Sequence, residues 1–290
     1  MLYIIVGPTC SKKTKAAIAL SNFLHAPIIN GDAFQIYQDM NIGTAKISKE
    51  DPYYSKHYLL DIVSPEVTFS VKDYQTAFRK TVDNLSKEYK DIVVCGGTGL
   101  YIKAAIYDYV FPDETDNDTS KLENKSDEEL WEMLLKLDEK ATLNLHPHNR
   151  KRVIRAIMIA TNQQENKSTL IEKQEHKMIY NDVRILFINP PREKLYDEIN
   201  KRVDDMIEEG LINEVKELQQ KYNLSLTARQ AIGYKEIIDY LNNEIDLLSA
   251  VELIKKRTRN YAKRQVTFFS HQFETKKYNS SEELIADICK

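Results

Sequence analysis

Cysteine is nearly absent from this 290-residue sequence: there are three, Cys10, Cys95 and Cys289, widely scattered and odd in number. That argues against a disulfide framework and against a cysteine-built zinc site, and it suits a reducing compartment. No apolar run approaches the roughly 20 residues that a spanning helix requires, so no membrane segment is expected. The N-terminus has no basic stretch, apolar run and cleavage site in series, and a cytoplasmic protein is expected. A strong charge of one sign is missing too. A net charge of −3 argues against coating nucleic acid through global charge, but leaves room for a local basic surface.

Two basic clusters stand out against that balance. One is Arg150-Lys151-Arg152 with Arg155; the other is Lys255-Lys256-Arg257, Arg259, Lys263 and Arg264, with Tyr261 among them. A solvated helix face would produce either one. Two in a mildly acidic chain lean towards a polyanion site. Hydrophobic content of 42% and charged content of 29% are ordinary for a globular protein, and the length permits a large core plus a smaller insertion.

Glycine is scarce, with eight residues, and one is missing where it would be most diagnostic. Residues 7–14 read Gly7-Pro8-Thr9-Cys10-Ser11-Lys12-Lys13-Thr14, a phosphate-binding loop in which Gly7, Lys13 and Thr14 keep register but Lys12 occupies the second glycine position. The context is right. Leu2 to Val6 reads as a short buried strand, and Thr14 to Leu24 as a helix with Ala16, Ala17, Leu20 and Leu24 at helical spacing. The N–H groups and positive dipole end of such a helix face an anion. Lys13 adds a point charge, and the Thr14 hydroxyl is placed to ligate a metal bridging two phosphates. A residue other than glycine at position 12 costs about 1–2 kcal/mol if φ there is positive, partly offset by attraction of a second ammonium to a diphosphate.

Further apolar runs, Ile28-Ile29, Leu59 to Ile62, Ile92 to Cys95 and Ile185 to Ile188, alternate with helical patterns such as Val71 to Tyr89 and Pro191 to Glu208. This predicts an α/β fold with a parallel sheet flanked by helices, its ligand beyond the C-terminal strand ends. The phosphate loop, Asn30-Gly31-Asp32 and Gly96-Gly97-Thr98-Gly99 converge on that edge. Residues 111–128 turn polar and acidic, and Ser126 then caps a helix carrying Leu130, Trp131, Leu134 and Leu135, with Glu129 at the capping-box position. A second polar stretch runs from Thr161 to Lys177. A small helical insertion is therefore expected at 111–178, within a core of 1–110 and 179–290. From Pro191 onward the pattern is mostly helical.

Asp32 reads as a turn aspartate, a metal ligand or a general base beside bound phosphate. Three glycines around Thr98 permit close backbone approach to a ligand, though a tight turn would use them as well. Arg202 flanks an apolar stripe of Leu195, Ile199, Val203 and Met206 and is long enough to reach a diphosphate. Two classes remain open at this point: a P-loop kinase for a nucleoside or small metabolite, and an enzyme that uses the loop to hold a pyrophosphate leaving group.

The chain resembles the tRNA dimethylallyltransferases (tRNA isopentenyltransferases) nearly end to end. The resemblance is carried by Asp32-Ala-Phe-Gln-Ile-Tyr37, Asn41-Ile-Gly-Thr-Ala-Lys46, His57-Tyr-Leu-Leu-Asp-Ile62, Gly96-Gly-Thr-Gly-Leu-Tyr101, His146-Pro147 with Arg152-Val-Ile-Arg-Ala156, Gln230-Ala-Ile-Gly-Tyr-Lys-Glu236 and Tyr261-Ala-Lys-Arg-Gln265. It implies a P-loop NTPase-like core and transfer of a dimethylallyl group from its diphosphate to N6 of the adenosine 3′ to the anticodon. By the same resemblance Asp32 is the general base and Thr98 positions the reacting centre. Gly7 to Thr14, with Mg²⁺ at Thr14, and Arg202 hold the diphosphate. Asp32, Ala33, Phe34, Gln35 and Thr98 contact the extruded base. Lys151, Arg152, Val153, Ile154 and Arg155, and Gln230, Ala231, Ile232, Gly233, Tyr234 and Lys235, contact the tRNA. A tRNA-binding relative with a weakened phosphate loop is a third reading, and a monomer is the default expectation. Departures from the family pattern are Lys12, Ala33, Phe34, Phe268, the absence of arginine between residues 111 and 149, and the absence of a C-terminal Cys/His zinc finger.

Overall fold

Leu2–Val6 forms the strand expected of it, β1, and sits inside a sheet rather than at its edge. Ile4, Ile5 and Val6 have no exposed surface, which is why the run is continuously apolar instead of alternating. The structure is a computed structural model that describes residues 1–111, 119–143, 145–162 and 176–290. The polar stretches at 111–128 and 161–177 lie partly outside the described residues.

β1 pairs in parallel with β4 (Ile92–Gly96) and with β5 (Val183–Ile188), Leu2 opposite Ile92 and Val183. With β2 (Ile28–Asn30), β3 (His57–Tyr58) and β6 (Lys276–Tyr278) the parallel sheet has the order β3-β2-β4-β1-β5-β6. α1 (Lys13–Leu24) packs Ala16, Ala17 and Leu20 against Ile5, Ile28 and Val93, joined by Leu284 of the last helix, Ser281–Ile288. α2 (Val71–Leu85) opens with a capping box: the Ser70 side chain accepts from the Asp73 N–H, and Asp73 accepts from the Ser70 N–H at 2.8 Å. α3 is Gly99–Ile106. The long helix Leu247–Gln272 sets Phe269 against Phe187 of β5, ring centres 5.8 Å apart.

The run Leu59 to Ile62 is not the strand its apolar character suggested. The paired residues are His57 and Tyr58, and Leu59 and Asp61 take left-handed φ values of 63° and 52°. Asp61 dictates this path: its carboxylate accepts from Lys46 Nζ at 2.7 Å and from the Tyr54 hydroxyl at 2.6 Å. β6, a short strand in a stretch expected to be mostly helical, also escaped the pattern.

The chain divides into two compact units, Met1–Ile106 with Tyr180–Lys290, and Tyr107–Ile179. The smaller unit has its own core of Leu122, Leu130, Leu134, Val153, Ala156 and Ile157. Ser126 caps its helix Asp127–Leu137 as expected, accepting from Glu129 N–H at 3.2 Å while Glu129 accepts from Ser126 N–H at 2.7 Å. Among the described residues no helix is long and apolar enough to cross a membrane.

Candidate functional site

The phosphate loop takes its shape from close contacts rather than from abundant glycine. A Cβ on Gly7 would lie 2.4 Å from the Ile188 carbonyl oxygen, so the end of β5 closes against the loop. Beyond it Cys10 and Lys12 adopt left-handed φ values of 62° and 61°. Position 12 therefore does demand the conformation that glycine would supply without strain. Lys12 stands as N-cap of α1 with no side-chain cap bond, and its Nζ reaches the Glu198 carboxylate at 3.2 Å. Lys13 Nζ donates to the Pro8 carbonyl at 2.7 Å, and burial pulls its pKa below the usual lysine range. The Ser11 hydroxyl is buried and has no hydrogen-bond partner among the described residues.

The turns after β2 and β4 interlock. Gly96 is required there, because its Cβ would stand 2.1 Å from the Gly31 carbonyl oxygen. Thr98 N–H donates to that carbonyl at 3.2 Å, while Thr98 Oγ1 accepts from Ala33 N–H at 3.0 Å. Asn30 holds the start of the turn, accepting from Asp32 N–H at 3.0 Å and donating to the Leu59 carbonyl at 3.1 Å. Asp32 Oδ1 accepts from Phe34 N–H at 3.0 Å. Burial raises the Asp32 pKa, opposed by that N–H and by the Lys13 charge. The result is a carboxylate held in place, with its pKa raised by burial.

One residue joins the loop to the second turn. Gln265 accepts from Thr9 N–H at 2.9 Å and donates to the Gly97 carbonyl at 2.8 Å. Four residues earlier, Tyr261 hydrogen-bonds Thr98, and burial together with the nearby Asp32 charge pushes its phenol up to about 12. Gln265 and Tyr261 belong to a recognised sequence motif, yet nothing in their spacing predicted a place beside residues more than 150 positions away.

These groups surround a cavity of about 630 Å³. Lys12, Lys13, Thr14, Asp32, Phe34, Gln35, Arg202, Tyr261 and Gln265 line it, and Thr98 is not among the lining residues. Arg202 faces the cavity but is engaged: its guanidinium donates to both Glu209 oxygens, at 2.9 and 3.0 Å, and to the Ile42 carbonyl at 3.3 Å. Gln230, Ala231, Ile232 and Tyr234 also contribute to the wall. Gly233 and Tyr234 are buried and Lys235 is exposed.

Two of the residues expected at the tRNA have buried side chains. Tyr234 has no exposed surface, its hydroxyl donates to Glu214 at 2.6 Å, and its ring fills the space that a Cβ on Gly43 would take. Val153 is fully buried in the core of the smaller unit. Both side chains are packing residues. On the same helix, Arg150–Asn162, Lys151, Arg152 and Arg155 are exposed and Ile154 is half-buried. Arg150 is committed inward, to Asp127 at 2.8 Å and to the Glu123 carbonyl at 2.7 Å. Part of the second basic cluster is likewise spent: Lys255 pairs with Asp204 at 2.8 Å, Arg257 with Glu236, and Arg259 bonds Asn200.

Comparison with known proteins agrees with this geometry. The family model described as IPP transferase matches residues 35–272. A tRNA dimethylallyltransferase of Anoxybacillus flavithermus is 40% identical over 284 residues, covering 97% of this chain and 91% of the relative. The crystal structure of a tRNA delta(2)-isopentenylpyrophosphate transferase from Staphylococcus epidermidis superposes with a TM-score of 0.72 at 35% identity, covering 99% of this chain and 96% of that one. A eukaryotic dimethylallyltransferase whose structures were determined acting on tRNA gives a TM-score of 0.80 at 26% identity, over 92% of this chain and 69% of the other. A phosphate loop, a buried carboxylate at the next strand end and this extent of similarity lead to one conclusion: the chain belongs to the IPP transferase family.

Proposed function

We propose that this chain transfers the dimethylallyl group of dimethylallyl diphosphate to N6 of the adenosine 3′ to the anticodon in tRNAs reading codons that begin with U, releasing diphosphate. The observation that carries this reading is the shared cavity, onto which the phosphate loop and the Asp32 carboxylate both open. Its volume of about 630 Å³ lies within the range of small-molecule sites, with room for a five-carbon diphosphate beside one base. A kinase would use a similar loop, and the family tips the reading towards prenyl transfer.

An exocyclic adenine amine is a poor nucleophile. As its nitrogen bonds to C1 of the allyl group and the C–O bond to diphosphate breaks, Asp32 accepts the amine proton. The departing charge meets the loop N–H groups, Lys13 and Arg202 once the latter exchanges Glu209 for phosphate oxygens. Thr98 holds the Ala33 backbone, and through it the turn that carries Asp32. The base must leave its stack to enter, which an anticodon loop permits. Lys151, Arg152 and Arg155, exposed on one helix, supply phosphate contacts whose strength falls with salt.

Mg²⁺ fits this donor set. Among the described residues no group of three or more His, Cys, Asp or Glu could cage a metal, but Mg²⁺ brought in with a diphosphate would need few protein ligands. The exposed Thr14 hydroxyl would supply one, and the unpartnered Ser11 Oγ lies buried in the same loop. When bound, the ion neutralises leaving-group charge.

Incubation with unmodified tRNA, Mg²⁺ and labelled dimethylallyl diphosphate tests the reading, with label expected in tRNA. Binding of tRNA without label would indicate a relative with a weakened loop. ATP turnover with a metabolite acceptor would indicate a kinase.

A further inference from the structure

The steps proposed above give the Lys12 side chain no part of its own, and the residue is held in a costly conformation. Its φ of 61° and ψ of 31° are left-handed. A non-glycine residue there is worth roughly 1–2 kcal/mol of strain. Such an outlier at a binding loop calls for a functional reason. Its side chain lines the cavity together with Lys13 and Thr14, and its Nζ meets Glu198 at 3.2 Å, both partners being about half exposed at 54% and 48%. An ion pair that open to solvent is weak and easily exchanged. Beside it the Ser11 hydroxyl, 3% exposed, lacks a hydrogen-bond partner among the described residues, but Ser11 does not line the cavity, so the charge of Lys12 is the loop's added group that faces it.

We propose that Lys12 is a direct ligand of the substrate diphosphate, and that Glu198 holds its ammonium only until the anion arrives. The glycine of an ordinary phosphate loop offers backbone alone; this chain accepts strain and gains a second lysine charge beside Lys13. The ligand class is an allylic diphosphate, and the inference rests on the loop being the diphosphate site. The added ammonium should matter most when Mg²⁺ is scarce, since both neutralise the same oxygens.

Inorganic pyrophosphate is the probe, titrated calorimetrically into the full chain with and without Mg²⁺. The Lys12→Met variant keeps side-chain bulk and backbone strain while removing charge. It should bind pyrophosphate about tenfold more weakly without Mg²⁺, and by a smaller factor with it. Lys15→Met is the control, because Lys15 is an exposed lysine of the same helix turn that pairs with Glu282 at 2.7 Å and does not line the cavity. Its affinity should stay within about twofold of the unaltered chain. Glu198→Gln should tighten binding, and the gain should shrink in the double variant with Lys12→Met, the sign of a coupled pair. Lys12→Gly separates strain from charge. Relief of strain acts on folding, so its melting temperature should not fall, while its pyrophosphate affinity falls with that of Lys12→Met. Equal binding by Lys12→Met and the unaltered chain overturns the inference, as does an equal loss in Lys15→Met. Absence of pyrophosphate binding by the unaltered chain, with or without Mg²⁺, would instead overturn the diphosphate reading of the loop.

Discussion

Two loops at the C-terminal edge of the sheet have few glycines, and they use their polar groups in opposite ways. In Asn41–Lys46 the polar groups are satisfied within the protein. Glu214 accepts from the Asn41, Ile42 and Gly43 N–H groups, Thr44 donates to the Met40 carbonyl, and Lys46 donates to the Tyr37 carbonyl and to Asp61. In Gly7–Thr14 the Ser11 hydroxyl is unpartnered, Lys13 has a single backbone carbonyl, and Lys12 rests on an exposed carboxylate. Both contain left-handed non-glycine residues, Ala45 in one and Cys10 and Lys12 in the other. Backbone strain therefore does not distinguish them. What does is whether the polar groups are already paired, and by that measure one loop is a buttress and the other a receptor.

The largest effect should come from the receptor side. Asp32→Ala removes the proposed base, and turnover in the labelled-donor assay is expected to fall by about 10²–10⁴ while tRNA affinity changes little. Near-normal turnover would remove Asp32 from the chemistry. The buttress should respond in stability instead. The side chain of Lys46 is 1% exposed and its partner Asp61 10%, so Lys46→Met leaves a carboxylate buried with only Tyr54 to satisfy it. A loss of about 3–5 kcal/mol in urea unfolding is expected. A loss below about 1 kcal/mol would mean that the segment is not held through this pair.

That contrast also explains what could be read from the chain beforehand. Periodicity located β1, α1, β4 and the capped helix after Ser126, because each depends on residues within a few positions of one another. It misplaced the strand at Leu59 to Ile62, where Asp61 answers to Lys46, 15 positions away. Asp32 and Thr98 were legible as candidates because strand ends in a parallel sheet converge. Gln265 was not, since its partners Thr9 and Gly97 lie 256 and 168 positions distant. Tyr234 was assigned to the tRNA by resemblance alone, and no local pattern showed that its ring lies buried over Gly43.

Gln265 connects the phosphate loop to the turn after β4 and offers a smaller perturbation. Gln265→Ala leaves the Thr9 N–H and the Gly97 carbonyl without their side-chain partner, a loss of about 1–3 kcal/mol in stability. Its sharper signature should be a raised KM for the diphosphate donor with tRNA affinity preserved, since the loop and not the nucleic-acid surface loses its tie. Equal weakening towards both substrates would place Gln265 in the general framework of the fold.

The smallest effect, and the one that reads Asp32 most directly, is in pH. Burial raises the Asp32 pKa in the folded protein, while in the unfolded chain the group titrates at its ordinary value. Between those two points the folded form holds a proton that the unfolded form has released, so this group's contribution makes stability fall as pH rises through the window. Transfer should run the other way, because only the ionised carboxylate accepts the amine proton. Asp32→Asn should flatten this part of the stability profile while abolishing turnover. The Lys13 charge opposes the rise, so Lys13→Met should move the acidic limb of the rate profile to higher pH. A limb that stays where it was would mean that Lys13 and Asp32 act on the diphosphate and the base independently, and that the receptor loop does not tune the group that takes the proton.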